Sequence, residues 1–122
     1  MPLQAWDEYL RHRDEIADLL DPRCYSIEWL DAELTSGHAK AFGNDTAVIV
    51  VAVRIYPAGA SELHGLVAAG SLDGILELID EAEGWAAALG ITFACIASRP
   101  GWARVLKSRG WQTHQVELRK DL

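Results

Sequence analysis

The chain is poor in cysteine, in basic residues and in long apolar runs, and each shortage removes a class of protein. Its two cysteines, Cys24 and Cys95, stand far apart, which excludes a CxxC pair and a disulfide framework and fits a reduced, cytoplasmic setting. Lys and Arg number 11 against 18 Asp and Glu, for a formal charge of −7. That balance leaves no extended basic surface to follow a phosphate backbone, so nucleic acid is not an expected partner. No stretch approaches the roughly 20 apolar residues that cross a bilayer. The N-terminus is acidic and amphipathic rather than basic then apolar, so neither a signal peptide nor a membrane anchor is expected. The four histidines, His12, His38, His64 and His114, lie at spacings that build no ligand set, and no metal site is expected.

What remains is 122 residues, 50% of them hydrophobic, enough for one core and a single domain over 1–122. Apolar residues at helical intervals (Leu3, Trp6, Leu10, Ile16, Ala17, Leu20) predict a first helix from Pro2 to Leu20. A second runs from the N-cap Ser26 to a stop at Gly37. The texture then turns β-branched. Ala39–Phe42, Thr46–Tyr56 and Glu62–Ala69, broken at Gly43-Asn44-Asp45 and Pro57-Ala58-Gly59, predict an antiparallel three-stranded meander. Leu72 to Leu89 reads as a long amphipathic helix closed by Gly90. The apolar run Ile91–Ala97 reads as a strand buried on both faces, and a helix between two strands implies a parallel pair. Arg99-Pro100-Gly101 opens a last helix with Trp102, Val105 and Leu106 inward, stopped at Gly110, after which Trp111–Leu118 alternates like a strand. The fold class is α/β, with a mixed sheet. Val48–Val53 is apolar enough to be covered on both faces, by the two N-terminal helices on one side and a second subunit on the other.

The order of two helices, three-stranded meander, then helix-strand-helix-strand resembles the GNAT N-acetyltransferases. The segment Ser98–Trp111, with its Gly110-Trp111 ending, resembles that family's fourth helix and its terminal Gly-aromatic pair. The resemblance implies acetyl-CoA lying between two parallel strands, its pyrophosphate on the backbone at the start of the main helix, where free N–H groups and the helix dipole favour an anion. It places Val67, Ala68 and Ala69 beside the pantetheine arm and Gly70, Ser71 and Gly74 at the pyrophosphate, with Arg99 and Arg104 within reach of a phosphate. It makes Glu62, with His64 two residues on, the candidate base for an amine or protein acceptor.

The same comparison shows departures. The family writes its phosphate loop R/Q-x-x-G-x-G/A, whereas Gly70-Ser71-Leu72-Asp73-Gly74-Ile75 puts Asp73 and Ile75 in the glycine positions. A Tyr that protonates the leaving thiolate in many members is Leu106 here, and leucine has no proton to give. Each functional assignment therefore has a plainer alternative. Glu62 and His64 read equally as solvated residues on an outer strand face, Gly70–Gly74 as a strand-to-helix turn capped by Ser71, and the arginines as a solvated helix face. Most of the five tryptophans read as core packing, any exposed one as an interface. The reading that follows is a GNAT-like fold with a degenerate acetyl-CoA site, binding or structural rather than catalytic, the alternative being a working acyl-CoA-dependent N-acetyltransferase. The Arg-Pro-Gly-Trp helix and the Leu-x-Lys-x-Leu ending also resemble small GNAT-like proteins of short-tailed phages and prophages. That likeness implies virion proteins as partners and a virion-associated location, with a homodimer as the other association.

Overall fold

The computed structural model describes residues 4–122, so the expectations for Pro2 and Leu3 lie outside the described residues. The elements are α1 (Trp6–Leu19), α2 (Ile27–Ser36), β1 (Lys40–Gly43), β2 (Ala47–Ile55), β3 (Ser61–Gly70), α3 (Leu72–Ala88), β4 (Phe93–Ile96) and α4 (Pro100–Leu106), the last continued by a 3-10 turn at Lys107–Arg109. The strands lie in the order β1-β2-β3-β4, antiparallel except for the parallel β3–β4 pair. This is the expected meander with a parallel step joined to it through α3.

β2 is the centre of the molecule because its side chains feed two cores in alternation. Val48 and Val50 pack with Tyr9, Ile16, Leu30 and Leu34 under α1 and α2. Ala47, Ile49 and Val51 meet Ile75, Leu78, Ala82 and Ala86 of α3. Those four recur at three- and four-residue steps, which is what gives α3 one apolar stripe to lay on a sheet. The second face of β2 is thus covered by α3 of the same chain, not by the second subunit expected from the sequence.

Polar contacts fix the helices in place. Tyr9, fully buried, donates its hydroxyl to Asp31 at 2.7 Å, and Arg13 grips the same carboxylate through Nε and Nη2, tying α1 to α2. The Arg13 hydrogen bonds hold the Asp31 carboxyl below its usual pKa, and burial pushes the Tyr9 phenol up. Tyr9→Phe should cost about 1.5 kcal/mol, the value of a hydrogen bond to a charged acceptor, read as a lower urea midpoint at unchanged slope. Ser26 and Ser71 cap α2 and α3, accepting from the amides of Trp29 and Gly74. Asn44 closes the β1–β2 turn by accepting from the amides of Thr46 and Ala47 and donates to the Gly74 carbonyl, so the hairpin holds the first turn of α3.

Two expectations fail at the far end of the sheet. Ile91–Ala97 is not a doubly covered strand: β4 is four residues long and an edge of the sheet, and Phe93 and Ile96 are exposed because none of the described strands lies beyond it. Trp111–Leu118 forms no strand either. Its alternation supplies only Val116 and Leu118 as aliphatic residues, and both are exposed, so pairing would bury too little to offset the ordering of the chain. The tail instead ends against the α1–α2 turn, where Arg119 pairs with Asp21 and Asp121 with Arg23. Among the described residues no helix is long and apolar enough to cross a membrane.

Candidate functional site

β3 and β4 are paired only from Glu62–Phe93 to Gly65–Ile96. Beyond that rung the strands part: β3 continues to Gly70, while the chain after Ile96 turns away through Ala97, Ser98 and Arg99 into α4. Gly65 makes the last rung possible, since a Cβ there would meet Ile96 Cγ2 at 2.6 Å. The parting leaves the outer backbone edge of Leu66 to Ala69 without a strand partner among the described residues. It also opens a cleft of about 280 Å³, walled by Leu66, Val67 and Ala68 on one side and by Ala94, Ile96 to Arg99, Trp102, Leu106 and Trp111 on the other. An unpaired strand edge in an apolar cleft suits an extended ligand carrying amide groups of its own.

A polar cluster stands on the paired part of β3, just before the parting and outside the cleft lining. Glu62 and His64 point to the same side of β3, and the sequence alternative of solvated outer residues does not hold for the carboxylate, which is 2% exposed. Its Oε1 accepts from the Tyr56 hydroxyl at 2.7 Å and its Oε2 lies 2.9 Å from His64 Nδ1, and the Cys95 thiol is near enough to add to the pull on its proton. Cys95 reaches it because parallel pairing sets it opposite His64. Burial pushes the Glu62 carboxyl up, but the hydrogen bonds with Tyr56 and His64, together with the nearby Cys95, outweigh it and the group titrates below its ordinary value. Burial, helped by the charge of Arg54, lowers His64 against the pull of Glu62. The outcome is an ionised carboxylate beside a neutral imidazole. Nδ1–H must then donate to Glu62, leaving the Nε2 lone pair free to accept a proton. The two residues are one dyad, His64 as the group that can take a proton and Glu62 as the one that orients it. The same carboxylate raises Tyr56, and burial followed by that carboxylate raises Cys95.

No protein-family model matches the sequence, and no curated protein does. Solved structures do match. A GCN5-related N-acetyltransferase from Ralstonia eutropha JMP134 is 20% identical, with 79% of this chain and 72% of that one covered and a TM-score of 0.62. A predicted acetyltransferase with acetyl-CoA from Clostridium acetobutylicum is 11% identical over 96% and 90%, TM-score 0.69. Glucosamine-6-phosphate N-acetyltransferase from Arabidopsis thaliana is 8% identical over 99% and 95%, TM-score 0.70. The chain has the GNAT fold.

Set against the GNAT pattern, the start of α3 is the most altered part. Gly70 has φ +109°, and its amide is taken by the carboxylate of Glu15, Oε1 at 3.3 Å. The Ser71 amide donates to the Thr46 carbonyl, and the Ser71 hydroxyl to Thr46 Oγ1. Gly74 is buried against the β1–β2 turn, where a Cβ would lie 2.9 Å from Ala47 Cβ, so its missing side chain serves helix packing. Ile75 is a core residue, 4% exposed, and Asp73 is exposed in the first turn. Of the two arginines, Arg99 lines the cleft, whereas Arg104 is exposed on α4 and outside that lining. Leu106, in place of the family's Tyr, is 1% exposed and part of the cleft wall.

Glu62 and His64 were legible in the sequence, whereas Tyr56, Cys95 and Glu15 were not. Cys95 was recoverable, since a parallel register through Glu62–Phe93 places it beside His64. Nothing in the sequence distinguished Glu15 among the acidic residues of α1.

Proposed function

We propose that the chain is an acyl-thioester-dependent N-acetyltransferase that takes its donor in the β3–β4 cleft and an amine acceptor near His64. The observation that carries this is the parting of β3 from β4 one rung beyond the Glu62–His64 dyad: a free backbone edge and a proton acceptor meet at one point of the sheet. Leu66 to Ala69 offer amides and carbonyls to the pantetheine arm of acetyl-CoA, and the apolar wall around Trp102 and Leu106 excludes water from it. Acetyl-CoA supplies the activated acyl group. His64 Nε2 accepts the proton of the attacking amine nitrogen as the N–C bond forms and the C–S bond breaks. Glu62 stabilises the imidazolium so produced. The thiolate departs without help from α4, because Leu106 has no proton to give, and takes its proton from solvent.

A second reading is favoured by a specific observation. Glu15 and Asp73 place two carboxylates where a GNAT holds pyrophosphate, which supports a binding or structural protein that keeps the fold and has lost the reaction. Release of free thiol from acetyl-CoA, followed with Ellman's reagent across a panel of primary amines, separates the two. Amine-dependent release supports the enzyme, and binding of acetyl-CoA with no release under any amine supports the second reading.

A further inference from the structure

The start of α3 is partly closed as an anion site: the amides of Gly70, Ser71 and Gly74 are used inside the chain, leaving those of Leu72 and Asp73 beside two carboxylates. Glu15 fills the role that a phosphate oxygen would have, its Oε1 on the Gly70 amide while its Oε2 faces His12 Nδ1 at 3.3 Å. The Gly74 amide is spent on the Ser71 cap, and the Ser71 amide on Thr46. Asp73 adds a second negative charge in the first turn. The nearby cation on α1, Arg11, is turned to the Asp45 carbonyl at 3.2 Å. A diphosphate arriving there would have to displace one carboxylate and stand beside another. The Leu66–Ala69 edge and the apolar cleft wall, by contrast, are free.

We infer that this chain recognises its donor through the pantetheine arm and not through the nucleotide diphosphate, so that acyl-pantetheine thioesters as a class are its ligands. This rests on the cleft assignment made above. The shared chemistry comes from two sources, free coenzyme A and pantetheine carried on a protein.

Calorimetric titration with acetyl-CoA, S-acetylpantetheine and adenosine 3′,5′-diphosphate tests the inference. The expected result is that the two thioesters bind within about threefold of one another and the nucleotide does not bind at millimolar concentration. Acetyl-CoA binding more than about thirtyfold tighter than S-acetylpantetheine, or binding of the nucleotide alone, would overturn it while leaving the cleft assignment intact. Binding of neither thioester would instead remove the cleft assignment and the inference with it. A fourth titration, with an acetylated phosphopantetheinyl carrier protein, distinguishes the sources: tighter binding than S-acetylpantetheine supports a protein-borne donor, and weaker binding supports the inference with a free one.

The variant Glu15→Gln with Asp73→Asn gives an independent arm. Removing both charges should tighten acetyl-CoA about tenfold and leave S-acetylpantetheine unchanged. Equal tightening of both, or of neither, contradicts the proposed role of these carboxylates.

Discussion

His64→Gln should lower acetyl transfer by about 10²- to 10⁴-fold with little change in acetyl-CoA affinity, because it removes a proton acceptor and keeps a hydrogen-bonding side chain of similar length. The loss should fall on the acceptor half-reaction, seen as lower kcat at saturating donor. The pH profile carries the same assignment. His64 titrates below its usual 6.5 because it is buried and faces the charge of Arg54. It acts as a base only when neutral, so the acid limb of kcat/KM should lie below pH 6.5, with a plateau above. The sign for stability follows from the same shift. The unfolded chain binds this proton more readily than the folded one, so the contribution of His64 is present above about pH 6.5 and is lost as the pH falls. Glu62, also lowered, adds a further loss below its own ordinary value of 4.5. In His64→Gln the first of these losses should disappear from a denaturation series and the second should remain. Glu62→Gln should reduce transfer as well, through misorientation of the imidazole, and, because the Glu62 charge pulls the His64 pKa up, should move the acid limb of the remaining activity to still lower pH.

Gly70→Ala should destabilise the molecule by about 3 kcal/mol, or roughly 10 °C in melting temperature. Two causes act together. The backbone at φ +109° is one that L residues rarely adopt, and the new Cβ would collide with the Thr46 carbonyl oxygen and lie 2.6 Å from Ala47 Cα. Neither neighbour can give way, since both belong to the turn and the central strand that Asn44 holds against α3. Gly84→Ala is the matched control. That glycine lies in the exposed face of α3 with nothing within 4 Å of a Cβ. The same methyl there should stabilise by about 0.5–1 kcal/mol through helix propensity alone. Opposite signs from one substitution type would show that Gly70 is required by its place at the strand-to-helix turn.

The sequence carried the architecture wherever burial wrote a period into it. The stripe of Ile75, Leu78, Ala82 and Ala86 marked α3, the alternating cores of β2 marked the central strand, and the Ser26 and Ser71 caps marked helix starts. It failed where a segment's state depends on a neighbour. β4 reads as buried because Phe93, Ala94, Cys95 and Ile96 are apolar, yet it is an edge. Trp111–Leu118 alternates, yet finds no strand to pair with. The second cover of β2 was assigned to another subunit because periodicity cannot say that α3 folds back on the same strand. The site shows the same division. Glu62 and His64 were visible as an i, i+2 pair on a strand, but the carboxylate's burial and its contacts with Tyr56 and Cys95 come from the turn after β2 and from the parallel register. Asp73 and Leu106 were visible as departures from the GNAT pattern. The closing of the α3 start by Glu15 was not, because it joins residues 55 positions apart.

The most direct test of the account is an amide NMR titration of the protein with acetyl-CoA. With the donor held along the β3 edge, shifts concentrate at Gly65 to Ala69 and at Ala97 to Arg99, with Leu72 and Asp73 at the start of α3 much less affected. Shifts centred on Leu72 and Asp73 with the β3 edge unmoved, or no shifts at millimolar ligand, would contradict it.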